Sequence, residues 1–192
     1  MGGGIAMSID PVGLSVPALS AASPKAVTRL AGFLSSCASI GAICESSPWL
    51  ARRIAEAVGG ASSPVVELGA GYGSVTAYLP EPTVSIERDT RRFQHLKATF
   101  PNRMILNSCA VIILNELQKP TVIVSSIPNV NNLEFGALRA GVTRAVKAGT
   151  VKHLISYTYF PVNPFGGIFA KSEMIGFEIL NLPPAFVWNY SC

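Results

Sequence analysis

The sequence VVELGAGYG, at residues 65–73, joins an apolar segment that contains one acid to three glycines at alternate positions. Glycine has no Cβ atom, so a turn built from alternating glycines lets the backbone approach a ligand closely. In an open parallel sheet, such a turn follows a strand at the edge where ligands bind. The dinucleotide fingerprint G-x-G-x-x-G does not fit, because Ser74 stands where its third glycine belongs. The stretch therefore predicts a strand and a cofactor-binding turn of another kind.

Strand and helix patterns alternate around this turn. Strands are predicted at 64–68, 83–87, 104–107, 121–125 and 152–158, and helices at about 47–58, 74–79, 89–99 and 133–147. This alternation predicts a parallel sheet with helices on both faces. Two more strands, 174–180 and 185–190, are joined by only four residues. A parallel crossover needs a dozen residues or more, so this pair is predicted to be an antiparallel hairpin.

The 192 residues suffice for one compact domain, which we assign to 46–192. Residues 1–45 are predicted to form an arm that contains a weakly basic amphipathic helix at about 23–37, which either covers the cofactor or docks on a membrane. No apolar run reaches the about 18 residues of a spanning helix. We expect a cytoplasmic monomer, with transient contact to the inner face of a membrane.

Composition narrows the class of partner. The net charge of +4 favours an anionic partner, either nucleic acid or an acidic lipid surface. The four cysteines form no C-x-x-C pair, and the two histidines do not supply metal-ligand spacing. We therefore expect reduced cysteines and no metal site.

A second acid strengthens the cofactor hypothesis. Glu87 ends the second strand, twenty residues after Glu67. In a doubly wound sheet, an acid at that place lies beside the glycine turn and accepts hydrogen bonds from ribose hydroxyls. The alternative is an ordinary strand-to-helix turn in which Glu87 only caps the next helix.

The spacing acid-x-Gly-x-Gly-x-Gly resembles motif I of the class I S-adenosylmethionine-dependent methyltransferases. This resemblance implies a Rossmann-like α/β fold with a seven-stranded, mostly parallel sheet in the order 3-2-1-4-5-7-6, closed by the antiparallel hairpin. It also implies S-adenosyl-L-methionine as the cofactor. The residues expected to bind it from the two strand ends are Glu67, Gly69, Gly71, Gly73 and Glu87.

The third strand end departs from this pattern. Many methyltransferases carry an acid there that meets the adenine amino group, whereas this chain has Asn107 and Ser108. Both side chains are able to hydrogen-bond adenine. We expect Asn107, Ser108 or a backbone group to do so, or adenine to be held mainly by apolar contact.

The acceptor is expected at the end of the fourth strand, where Ser125 and Ser126 begin the segment Ser-Ser-Ile-Pro-Asn. Enzymes that methylate exocyclic amines of bases place Asn or Asp first in this loop and an aromatic after its proline, to clamp and stack the base. Here serine and Asn129 occupy those places. The loop therefore disfavours a nucleobase.

The loop is instead similar to the Ser-Gly-Leu-Pro segment of bacterial phospholipid N-methyltransferases. Three other segments carry the same resemblance: 41–51, 158–161 and 181–188. It implies N-methylation of an aminolipid such as phosphatidylethanolamine, with Ser125, Ser126 and Tyr159 at the reacting groups. Ser125 is also expected to bind the cofactor. Tyr159 is expected either to contact the amine or to pack in the core, and Tyr157 to pack in the core.

Two segments are candidates for contact with a membrane. They are the helix at 23–37 and the segment 160–169, whose phenylalanines are expected to be exposed or to pack on the core. Other functions remain open: an rRNA adenine N6-dimethyltransferase, a small-molecule amine methyltransferase, or a non-catalytic adaptor with the same fold.

Overall fold

The computed structural model describes residues 46–60, 63–129 and 132–192. The arm at 1–45, with its expected helix at 23–37, lies outside them, and the domain division stays a prediction. The elements in chain order are α1 (Pro48–Val58), β1 (Val65–Leu68), a 3-10 turn (Thr76–Tyr78), β2 (Thr83–Glu87), α2 (Thr90–Thr99), β3 (Met104–Asn107), α3 (Ala110–Glu116), β4 (Thr121–Ser125), α4 (Phe135–Lys147), β5 (Val151–Thr158), β6 (Lys171–Glu178) and β7 (Ala185–Ser191).

The strands form one seven-stranded sheet in the order β3-β2-β1-β4-β5-β7-β6. The first five strands are parallel, and β7 runs antiparallel between β5 and β6. The predicted fold is therefore confirmed, including its strand order and its hairpin. Because β1, β2, β4 and β5 all end at the same edge, their carboxyl ends bring the predicted site segments together.

Two large apolar cores cover the two faces of the sheet, and a smaller cluster of Ala70, Leu96 and Ile105 joins α2 to β3. On one face, α1 packs Leu50 and Ile54 against the sheet, with Val187 of β7 beneath it. Helix α1 starts as predicted, since Ser47 caps it by accepting a hydrogen bond from the Leu50 amide. On the other face, α3 and α4 enclose a larger cluster that includes Tyr190.

The phenylalanines of the segment after β5 pack on this second core. Phe165 and Phe169 are buried, and both rings contact the ring of Tyr190, at centroid distances of 5.7 Å and 5.4 Å. The expectation that the phenylalanines of this segment are exposed is therefore wrong for Phe165 and Phe169. The alternative, that they pack on the core, is correct for both. Within the described ranges, no helix is long and apolar enough to cross a membrane.

Three local elements differ from the sequence predictions: the segment at 74–79, helix α3 and the bounds of β6. The predicted helix at 74–79 is a single 3-10 turn, and α3 was not predicted. Seven residues are too few for helical and strand periodicity to be told apart. Strand β6 begins at Lys171 and ends at Glu178, so Ile179 and Leu180 belong to the turn and not to the strand.

Candidate active site

The glycine turn combines two packed glycines with one open glycine. Gly69, Gly71 and Gly73 have φ angles of +78°, +62° and +95°, which favour glycine. A Cβ atom on Gly69 would lie 2.6 Å from Ile127, and one on Gly73 would overlap the ring of Phe100. A Cβ atom on Gly71 would meet no heavy atom within 4 Å. Gly69 and Gly73 are therefore required by packing, whereas Gly71 faces open space.

Glu87 is fastened beside this turn through both of its carboxylate oxygens. The amide of Gly71 donates to Oε2 at 2.8 Å, and the amide of Asp89 donates to Oε1 at 2.9 Å. Each carboxylate oxygen has a second lone pair, which remains able to accept a further hydrogen bond. The geometry orients an acceptor pair at the adjacent ends of β1 and β2.

Glu67 lies beneath the turn rather than on its surface. Its side chain is fully buried, and its Oε2 accepts hydrogen bonds from Thr76 and Ser85, each at 2.7 Å. Burial raises the pKa of this carboxyl, while the two hydrogen bonds and the positive charge of Arg103 act in the opposite direction. Glu67 therefore joins β1, β2 and the 3-10 turn from below. Its expected direct contact with a cofactor stays a prediction.

The buried carboxyl of Glu67 has one oxygen that no described residue satisfies. Oε1 of Glu67 has no hydrogen-bond partner among the residues that the structure describes. Buried polar atoms are satisfied in most native structures, so this oxygen is one place where a bound molecule or water would find a partner.

The side chain of Asn107 supports Glu87 from the next strand. Its Nδ2 donates to the carbonyl oxygens of Glu87 and Arg88, at 2.8 Å and 3.1 Å, and its Oδ1 accepts from Thr90 at 3.4 Å. The amide therefore holds the turn that follows β2. Ser108, the next residue, is half-buried beside it, and the expected contact of either residue with adenine stays a prediction.

The expected acceptor loop packs directly on the glycine turn. The amide of Ser126 donates to the carbonyl of Leu68 at 2.9 Å, and Ile127 contacts Gly69. The hydroxyls of Ser125 and Ser126 are buried and have no hydrogen-bond partner among the described residues. The ends of β1 and β4 thus bring together the cofactor turn and two unsatisfied hydroxyls.

Tyr159 directly follows the end of β5. Its ring packs edge-on against that of Tyr157, with centroids 5.9 Å apart, and both rings contact the core beneath α1. The hydroxyl of Tyr157 accepts a hydrogen bond from Ser46 at 3.1 Å, which agrees with the predicted core role of Tyr157. Tyr159 is half-buried, and its catalytic role stays a prediction.

The sequence did not predict the polar residues that bond to Glu67 beneath the glycine turn. Thr76 and Ser85 were not singled out, although both bond to Glu67. Tyr72, within the glycine turn, is exposed and contacts His95 and Arg92 of α2. The alternation of β2 places Ser85 on the same face as Glu87, but the sequence alone carries no signal that it meets Glu67.

The fold is shared with proteins of known structure. No protein-family model and no curated protein matches the chain. The 23S rRNA methyltransferase ErmE is similar over 74% of this chain and 67% of its own, with a TM-score of 0.52 and 18% identity. TrmN from Thermus thermophilus is similar over 76% and 49%, with a TM-score of 0.56 and 14% identity.

A third similar structure is the bifunctional kinase-methyltransferase WbdD, over 73% of this chain and 37% of its own, with a TM-score of 0.54 and 12% identity. The chain thus spans about half of TrmN and little more than a third of WbdD. Identities this low speak for the fold alone. Together with the strand order and the glycine turn, they show that the chain has the class I S-adenosylmethionine-dependent methyltransferase fold.

Proposed function

We propose that the protein is an S-adenosylmethionine-dependent methyltransferase that N-methylates the head group of an aminolipid such as phosphatidylethanolamine. The observation that carries the first half of this proposal is the pairing of Gly71 with Glu87. An open glycine and an oriented carboxylate share one hydrogen bond at the carboxyl edge of the sheet.

The residues present fit this cofactor. The space over Gly71 admits a ligand against the backbone, which a side chain at that position would fill. The free lone pairs of Glu87 suit a ribose diol, because two hydroxyls are able to donate to one carboxylate. Asn107 keeps Glu87 in place through the backbone of the same turn. These residues would hold the nucleoside of the cofactor.

When bound, the cofactor supplies a methyl group on a positively charged sulfur, which a neutral amine displaces in line. The task of the protein is to align that amine and to exclude water. The orphaned hydroxyls of Ser125 and Ser126 are suited to accept the amine hydrogens and so to direct the nitrogen lone pair toward the methyl group. The aromatic face of Tyr159 is suited to stabilise the positive charge that develops on nitrogen, by roughly 0.5 to 2 kcal/mol.

The acceptor loop supports an aliphatic amine over a nucleobase. Asn129 stands where base-methylating enzymes place a stacking aromatic, and the serines replace the Asn or Asp that clamps the base. A small primary amine needs neither. The phospholipid N-methyltransferase resemblance of the loop and of the hairpin points to the same acceptor.

The test uses the full chain with a cofactor that carries a labelled methyl group. Vesicles of phosphatidylcholine with and without phosphatidylethanolamine are offered in parallel with ribosomal RNA and with ethanolamine. We expect label only in the lipid of the vesicles that contain phosphatidylethanolamine. Label in RNA or in ethanolamine alone would reject the aminolipid, and the absence of cofactor binding in a calorimetric titration would reject the enzyme itself.

A second candidate is methylation of adenine N6 in RNA. Its specific support is the exposed ring of Tyr72, which lies 5.9 Å from the guanidinium of Arg92 at the rim of the glycine turn. An aromatic ring next to an arginine suits a stacked base with its phosphate. ErmE, which has the same fold, is a 23S rRNA methyltransferase. RNA binding that weakens steeply with salt, together with label in RNA, would favour this candidate.

A further inference from the structure

The turn between β6 and β7, residues 179–184, exposes apolar side chains and buries a polar one. The side chains of Ile179, Leu180 and Leu182 are 69%, 60% and 65% exposed, whereas Asn181 between them is 1% exposed. Turns normally expose their polar residues and bury their apolar ones, because loops lie in water. A turn that buries its amide and presents three aliphatic side chains is typical of a surface that meets something apolar.

This orientation is fixed by hydrogen bonds. Oδ1 of Asn181 accepts from the amide of Ser47 at 2.8 Å, and its Nδ2 donates to the carbonyl of Pro183 at 2.6 Å. Both bonds are lost if Asn181 turns outward, and its partners would then be left unsatisfied. The three aliphatic side chains are therefore held outward by the same residue that anchors the turn to the start of α1.

The turn lies at the edge of the sheet that carries the candidate active site. Strand β7 starts at Ala185, and its Phe186 pairs with Thr158, the last residue of β5. Ser125 at the end of β4 is in register with Ser156 of β5 and Trp188 of β7, three residues after Ala185. With strands about 4.8 Å apart and a rise of about 3.4 Å per residue, the start of β7 lies roughly 14 Å from the end of β4. A surface that touches this turn therefore also faces the acceptor loop.

The net charge of the protein suits an anionic surface, and side chains near the turn suit the head-group level. Glu178, the acid at its base, is paired with Arg53 of α1. Arg52, the neighbour of Arg53, is exposed, and so is Trp49 one turn earlier on the same helix. Arginines keep their charge at the head-group level while their stems lie on apolar surface, and tryptophan prefers the same depth. Glu56 and Glu178 balance Arg52 and Arg53 locally, so the preference for an anionic surface rests on the net charge of +4 of the chain.

We propose that this turn docks the protein on an anionic phospholipid bilayer, with Ile179, Leu180 and Leu182 inserted among the head groups and Trp49 and Arg52 at their level. The docking surface differs from the segment 160–169, whose Phe165 and Phe169 are buried. The proposal deepens the aminolipid function and rests on it, because docking at this turn brings amine head groups to the acceptor loop.

The test compares a double variant of the turn, L180S and L182S, with a matched control, M104S. Met104 is 61% exposed and starts β3, so it lies at the opposite edge of the sheet from the turn. The full chain is sedimented with vesicles of phosphatidylcholine and phosphatidylglycerol, and with vesicles of phosphatidylcholine alone. We expect the double variant to bind the anionic vesicles at least about 10-fold more weakly than wild type, since each aliphatic group removed from the lipid weakens binding several-fold. The control should bind like wild type.

Two further measurements separate this inference from the proposed function. Methylation of a water-soluble, short-chain aminolipid should be unchanged in the double variant, because its active site is intact. If that reaction fails in wild type as well, the proposed function falls, while vesicle binding still decides the docking surface. Wild-type-like vesicle binding by the double variant would overturn the inference. If wild type is a dimer in light scattering and the double variant is a monomer, the turn is the interface with a second copy of the chain. That result would also overturn the inference.

Discussion

Replacing Gly71 with alanine is expected to weaken cofactor binding far more than it weakens the fold. The new Cβ atom would meet no protein atom within 4 Å, so it adds no steric clash within the protein. The remaining cost is the left-handed backbone, with φ at +62°, which is about 1 kcal/mol for a residue with a Cβ atom. The methyl group would instead project into the space that we assign to the cofactor.

Gly73 provides the matched comparison within the same turn. A Cβ atom there would overlap the ring of Phe100 and lie 2.9 Å from Leu96, which is fully buried. Overpacking of this kind costs about 1 to 3 kcal/mol, and the backbone strain at a φ of +95° adds about 1 kcal/mol. We therefore expect G73A to lose about 2 to 4 kcal/mol of stability, and G71A about 1 kcal/mol.

Urea unfolding measures the stability of both variants, and calorimetric titration with S-adenosylmethionine measures their binding. The affinity of G71A should fall at least about tenfold, which corresponds to about 1.4 kcal/mol. Its urea midpoint should stay closer to wild type than that of G73A. Wild-type affinity in G71A would show that no ligand approaches this turn, and equal destabilisation of the two variants would refute the assignment of open and packed glycines.

Three other predictions follow from buried or fastened polar groups. E87Q should bind the cofactor about 10- to 100-fold more weakly in the same titration, because an amide both donates and accepts, whereas the control E116Q should not change it. Because burial raises the pKa of Glu67, the free energy of unfolding of wild type should fall as pH rises above the ordinary pKa of 4.5 toward the folded pKa. In E67Q, urea unfolding at several pH values should show that this pH dependence is lost. N181A should lose about 2 to 3 kcal/mol of unfolding free energy, since it leaves the Ser47 amide unpartnered; a loss under about 0.5 kcal/mol would contradict the anchoring role.

The strands of the sheet could be predicted because their signals are local, whereas their order was implied by the methyltransferase resemblance. Apolar runs that end in turn residues place β1, β2 and β4, and the four-residue gap predicted before the last strand was short enough to require a hairpin. The exact end of β6 could not be read in this way. Residues 174–180 look like one apolar strand, but Glu178 pairs with Arg53, which is 125 residues away, and the strand ends there.

The roles of individual site residues were harder to predict than their position. Sequence placed Glu67, Glu87 and Asn107 at one edge of the sheet, and the structure brings them there. It could not tell which carboxyl lies under the turn and which lies beside it, because that depends on side-chain partners from other strands, such as Ser85. Exposure of the turn at 179–182 was missed for the same reason, since its anchor is Ser47 at the other end of the described chain.

The position of β7 sets an order for assembly. This strand lies between β5 and β6, and it supplies Val187 to one core and Tyr190 to the other. Strand β6 therefore has no neighbour in the sheet until residues 185–191 have been synthesised and inserted. During translation, the edge of β5 that pairs with β7 stays unpaired until then, which exposes the nascent chain to edge-to-edge association.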